Sequence, residues 1–163
     1  MKYKTEEVIG KKVISPVGGA ETNIPKKYTE QRPWGSFEQF NLNTPCTVKI
    51  IDVKPESQLS LQFHNHRNEF WRILKGECTV MLDNKNYIAE TGDEFIIPAK
   101  TLHRVTTHNQ GVQFLEISYG HFDENDIIRL EDKYKRATAS DLKISIGSKF
   151  SPDGGNGSKS AQI

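Results

Sequence analysis

Only two cysteines, Cys46 and Cys78, occur in the 163 residues, and no CxxC spacing joins them. That count excludes a disulfide scaffold and a cysteine-built zinc site, and leaves two buried or half-buried thiols in strands as the expectation. Charge of one sign is missing too. The 22 basic and 21 acidic residues leave a formal +1, without the basic excess that nucleic acid or anionic membranes require, so neither partner is expected. No apolar run approaches the length of a spanning helix, and the mean hydropathy is −0.63. The first twelve residues, MKYKTEEVIGKK, carry charges where a secretory leader needs an apolar stretch, which points to the cytoplasm. The length fits one domain with a single core.

Long helical periodicity is also absent from the middle of the chain. Between Ser36 and Tyr119 stand short segments rich in Val, Ile, Thr, Phe and Tyr: 46–54, 59–64, 69–75, 77–83, 86–90, 93–98, 102–107 and 112–118. Pro55, Gly76, Asp83-Asn84, Gly92, Pro98 and Gly111 read as breaks between them. Eight strands at about ten-residue spacing predict an all-β antiparallel sandwich or barrel. Residues 1–30 read as a polar N-terminal arm with little core of its own, 31–136 as the folded domain, and 137–163 as a mostly flexible Gly/Ser-rich tail. Asp123 to Asp126, followed by IIRLEDKYKR, predicts a short capped C-terminal helix. Trp34 and Trp71 are expected as packing anchors, and His108 and His121 as surface residues.

Alternation along LSLQFH puts Gln62 and His64 on one strand face. Glu69 opens the next strand after a short turn, and His103 opens the strand that follows Pro98. Imidazole, carboxylate and amide oxygen form a mixed N/O set for a borderline divalent metal such as Zn, Mn, Fe, Co or Ni, with zinc the leading expectation. His66 keeps the phase of Gln62 and His64. It could replace Gln62 as a ligand or act as an acid/base toward substrate. Arg67 beside the ligand turn suits an anion. Arg104 alternates to the face opposite His103.

These segments resemble the paired motifs of the cupins, G-x5-H-x-H-x3,4-E-x6-G and G-x5-P-x-G-x2-H. His64, Glu69 and Gly76 fall in register with the first, and Gly92, Pro98 and His103 with the second. QFHNHRNEFW (62–71) is similar to the QxHHHRxEHW signature of type II phosphomannose isomerases, Arg32 to Gly35 to that family's RPWG, and DIIRLEDKYKR (126–136) to its DIVRxEDxYGR. Asn65 and Phe70 stand where the family has histidines, Glu56 and Lys100 where the motifs have glycines, and Leu102 where it usually has a lysine. The resemblance implies a double-stranded β-helix barrel holding a metal on Gln62, His64, Glu69 and His103. It also implies a mannose 6-phosphate/fructose 6-phosphate isomerase with His66 and Arg67 catalytic, and Lys100, Arg67 and Arg104 facing the sugar phosphate. The guanylyltransferase module that often accompanies such domains is not expected in so short a chain. Other metal-dependent cupin chemistry (another sugar isomerase or epimerase, or an oxygenase) and a sugar-binding cupin without turnover are the alternatives. Edge strands and the arm favour a homodimer.

Overall fold

The computed structural model describes residues 1–8, 10–17 and 22–136; the expected tail at 137–163 lies outside the described residues. Twelve strands form in chain order. They are β1 (Tyr3–Val8), β2 (Lys11–Pro16), β3 (Tyr28–Arg32), β4 (Gly35–Gln39), β5 (Cys46–Val53), β6 (Leu61–Phe63), β7 (Arg67–Leu82), β8 (Lys85–Glu90), β9 (Glu94–Ile97), β10 (His103–Thr106), β11 (Val112–Gly120) and β12 (Ile128–Glu131). One sheet is ordered β1-β2-β9-β7-β11-β5 and the other β8-β7-β10-β6-β12. They share β7, whose first half pairs with β9 and β11 and whose second half pairs with β8 and β10. This is the all-β, double-stranded β-helix architecture.

Between the layers lies the core, built from inward phases of the strands: Trp71, Ile73, Cys78, Val80, Leu82, Phe95, Val105 and Phe114 are all nearly or fully buried. The N-terminal segment is more than an arm. β2 runs parallel to β9 and delivers Ile14, 1% exposed, to that core. Ile24 and Phe40 cover Phe70, Ile117 and Tyr119 on the outer sheet face, where the Tyr119 hydroxyl donates to the Phe40 carbonyl at 2.7 Å. Enough apolar side chains are spaced through a polar stretch to bury it against a preformed sheet.

Gly76 does not end a strand. β7 runs through it at φ +87°, and a Cβ there would lie 2.2 Å from the Gly111 carbonyl oxygen. The glycine permits a close crossing of backbones, which composition alone reads as a turn. The C-terminal helix is likewise reduced to one 3-10 turn, Glu124–Asp126, with the Asp123 side chain accepting from the Asn125 N–H; strand β12 follows. Pairing of Ile128 to Glu131 with β6 outweighs the local helical preference. Trp34 is no packing anchor: it sits between β3 and β4 and is 72% exposed. Trp71, 1% exposed, is one. No helix of the described residues is long and apolar enough to cross a membrane.

Candidate metal centre

Two ligand-bearing segments have to meet, and backbone bonds make them do so. The Lys100 N–H donates to the His64 carbonyl at 2.6 Å, and the Ala99 N–H donates to the Asn68 Oδ1 at 2.8 Å. From the closing segment, the Asp126 carboxylate accepts the N–H groups of Asn65 and His66 at 3.0 to 3.1 Å. Lys100 and Glu56, standing at the glycine positions of the motifs, take φ +66° and +52°. The left-handed backbone is therefore kept without the residue that adopts it freely.

His64, Glu69 and His103 are each buried, and one ligand atom from each lies within 4.8 Å of the others. The two imidazole rings are 5.0 Å apart, centre to centre. Each ring is fixed through Nδ1. His64 Nδ1–H donates to the Asp126 carbonyl at 3.2 Å, and His103 Nδ1–H to the Thr101 carbonyl at 2.9 Å. A carbonyl can only accept, so each Nδ1 carries a proton and each Nε2 is turned toward the cluster, the orientation a metal requires. Burial, opposed by the Glu69 charge, pushes His103 down to about 4 and keeps it neutral at pH 7.

Glu69 is the anionic pole. Its Oε1 accepts from Arg67 Nε at 3.0 Å, and its Oε2 accepts from Trp71 Nε1 at 3.1 Å. Burial alone would raise this carboxyl, but the His64 and His103 rings and the Arg67 guanidinium hold it well below the ordinary carboxylate range. His64 Nε2 stands 3.1 Å from Oε1, and His103 Nε2 stands 3.7 Å from Oε2. These spacings suit donors sharing an ion at bond lengths of about 2.0 to 2.2 Å. His103 Nε2 is buried and has no hydrogen-bond partner among the described residues. An orphaned buried lone pair beside a carboxylate is costly unless a cation joins them. The residues fit a divalent metal.

The other expected site residues surround this trio unevenly. Gln62 is directly opposite His103 in the β6–β10 ladder, which places it on the ligand face, and its Oε1 accepts from Ser60 Oγ at 2.6 Å. Arg67 is 3% exposed, far from the solvated surface an arginine usually prefers. It donates to Glu69, to the Asp123 carbonyl at 3.1 Å and to His64 Nε2 at 3.1 Å, and stacks 4.7 Å from the Phe122 ring centre. His66 is exposed on the ligand turn and is not part of the three-residue cluster. Arg104 projects from the opposite face to His103 and pairs with Glu131 at 2.7 Å. Lys100 is exposed. Phe70, in place of a family histidine, is packed in the outer cluster, away from the ligand face.

Sequence reasoning passed over Glu116. It pairs with Trp71 across β11 and β7, on the inward face, and is 7% exposed. Burial and the Glu69 charge raise its carboxyl to about 7, against the pull of Lys49 at 4.0 Å. The signal was a charged residue on the apolar phase Val112, Phe114, Glu116. Asp126 was passed over for a different reason, having the look of a helix start.

Comparison with known proteins agrees with this construction. The family model described as "Mannose-6-phosphate isomerase C-terminal" matches residues 20–132. The alginate biosynthesis protein AlgA of Pseudomonas aeruginosa is 35% identical over 120 residues, covering 72% of this chain and 25% of AlgA. Mannose-1-phosphate guanylyltransferase 2 of Escherichia coli O157:H7 is 35% identical over 108 residues, covering 64% of this chain and 22% of that protein. The chain thus spans about a quarter of the length of these curated relatives. Among solved structures, a Klebsiella pneumoniae protein with a double-stranded β-helix domain aligns with a TM-score of 0.48 at 16% identity, over 53% of this chain and 76% of that one. With the match running from the hairpin ahead of the barrel through all three clustered ligands to the closing strand, the chain belongs to the mannose-6-phosphate isomerase C-terminal family.

Proposed function

We propose that this domain is a metal-dependent aldose–ketose isomerase interconverting mannose 6-phosphate and fructose 6-phosphate. The observation that carries the reading is the convergence of two inward imidazole Nε2 atoms and one ionised carboxylate in the buried interior, on a chain of this family. The isomerisation takes a proton from C2 of the aldose and returns one to C1, while a hydroxyl proton passes from O2 to O1. An enediol lies between. Such a reaction needs a base near neutrality and stabilisation of a developing oxyanion. A divalent cation on His64, Glu69 and His103, with Gln62 as the fourth ligand, would supply Lewis-acid stabilisation worth several kcal/mol; zinc leads among zinc, manganese, iron, cobalt and nickel.

The remaining work falls to the chain itself. Arg67 and Trp71 keep Glu69 ionised and oriented. Trp71 packs edge-on to His103 at 5.4 Å and closes the floor of the site to water. His66, on the ligand turn, is the proton-transfer group of this reading, and Glu116 is its rival from the barrel wall. A coupled assay with mannose 6-phosphate, run beside elemental analysis, tests the whole. His64→Ala should lose metal and turnover together, and chelation should abolish activity that one added metal restores. Comparing His66→Ala with Glu116→Gln identifies the base. Full turnover by metal-free protein would overturn the reading.

A further inference from the structure

Six arginines occur in the sequence. Five have carboxylate partners: Arg32 with Glu30, Arg67 with Glu69, Arg72 with Glu38 and Glu94, Arg104 with Glu131, and Arg136 with Asp132. The sixth, Arg129, has none among the described residues. Its Nε is buried and accepted by nothing. The residue as a whole is half-buried; a buried guanidinium nitrogen without an acceptor is unfavourable, and no carboxylate offsets the charge it carries.

Strand pairing says where this residue sits. Arg129 on β12 is directly opposite Gln62 on β6, and Gln62 is directly opposite His103 on β10. Residues opposed in an antiparallel ladder share a face. His103, Gln62 and Arg129 therefore form one row across the inner surface. With strands about 4.8 Å apart, the Cα of Arg129 lies about 10 Å from that of His103. A bulge follows Arg129, shifting Glu131 onto Leu61 and toward Arg104 on the other face. The one carboxylate of β12 is thus turned away from Arg129, leaving the guanidinium without a counter-charge beside the ligand cluster.

We propose that Arg129 binds the phosphate of the substrate. This assignment rests on the isomerase reading and adds to it the residue that selects a phosphorylated sugar. The competing cations are otherwise engaged: Arg67 donates from Nε and both terminal nitrogens to protein acceptors, and Arg104 is paired with Glu131. A guanidinium matches phosphate with two parallel N–H bonds, which an ammonium cannot reproduce. The row orders the substrate: the reacting C1–C2 end of a hexose phosphate lies toward His103 and its phosphate toward Arg129, with Gln62 between them.

The experiment is calorimetric binding of mannose 6-phosphate and of inorganic phosphate to metal-loaded protein, beside turnover, for wild type, Arg129→Lys and Arg129→Gln. Loss of one charge-assisted pair predicts about 10- to 100-fold weaker mannose 6-phosphate binding in Arg129→Gln. Arg129→Lys should fall between that and wild type. KM should rise more than kcat falls, with metal content and Tm kept; Arg129→Lys, which retains the stem and charge, serves as the folded control. Unchanged affinity in both variants, with wild-type turnover intact, overturns the assignment and spares the isomerase. Phosphate binding that depends on Arg129 without any turnover keeps the assignment and removes the isomerase. Wild-type protein that binds neither ligand overturns both.

Discussion

Replacing Glu116 with glutamine should stabilise the metal-stripped protein at pH 8 and leave it unaltered at pH 4.5. The carboxyl is 7% exposed and its value rises from 4.5 to about 7, chiefly by burial and then by the charge of Glu69. At about 1.4 kcal/mol for each tenfold change in proton affinity, a rise from 4.5 to about 7 corresponds to about 3 kcal/mol. The folded state keeps a proton that the unfolded chain releases above pH 4.5, so stability falls as pH climbs from 4.5 through 7 and levels off beyond. Glutamine cannot ionise and escapes that loss. The advantage of Glu116→Gln should therefore be near zero at pH 4.5 and grow to about 3 kcal/mol above pH 7. With a urea slope of about 1 to 3 kcal/mol per molar, the midpoint should move by about 1 to 3 M. Urea titrations of both proteins at three pH values, in chelator, read this directly. Adding a divalent metal should shrink the gap, because a cation beside the site favours the ionised form. An advantage that is flat with pH refutes the reasoning.

Asp126→Ala removes the acceptor for two turn N–H groups and should cost about 2 to 3 kcal/mol in thermal unfolding while weakening metal affinity about 10-fold; unchanged metal binding would show that the turn needs no clamp. Gly76→Ala meets the Gly111 carbonyl oxygen at 2.2 Å in a left-handed backbone, so a loss of at least about 3 kcal/mol is expected by urea denaturation, and a soluble variant of normal stability would contradict the crossing geometry. β5 pairs only with β11 among the described strands and exposes Val48 and Ile50 at 57% and 60%. If this edge joins two copies, Ile50→Lys should turn a sedimenting dimer into a monomer; a wild-type chain that is monomeric at every concentration removes the homodimer expectation.

The trio His64, Glu69 and His103 was legible because strand alternation and motif spacing are properties of the chain alone. What pairs with what across the barrel was not. Gly76 has the composition of a turn, and only the Gly111 backbone lying against it explains a strand that continues. Residues 127–131 have charges placed for a helix, and only β6 alongside makes them a strand. The histidine-to-Phe70 change looked like damage to a signature, yet alternation places it on the outer face, where the arm buries it. Lys100 and Glu56 looked like departures from glycine, while their φ values show the turns preserved. Glu116 and Arg129 each announced themselves as charges on an inward phase, a signal interpretable only once the inward direction of β11 and β12 was known.

The sixteen residues of β7 bear on how the protein comes apart. Because that one strand is a rib of both sheets, neither layer can peel from the other while it stays in place. Its amides should exchange with deuterium only when the whole molecule opens, later than those of β1 or β12 at the margins. Glu69 is mounted on that rib, whereas His64 hangs from a turn that Asp126 must clasp. Local fraying would thus release one imidazole long before the carboxylate moves, giving the ion a way in and out that leaves the molecule folded.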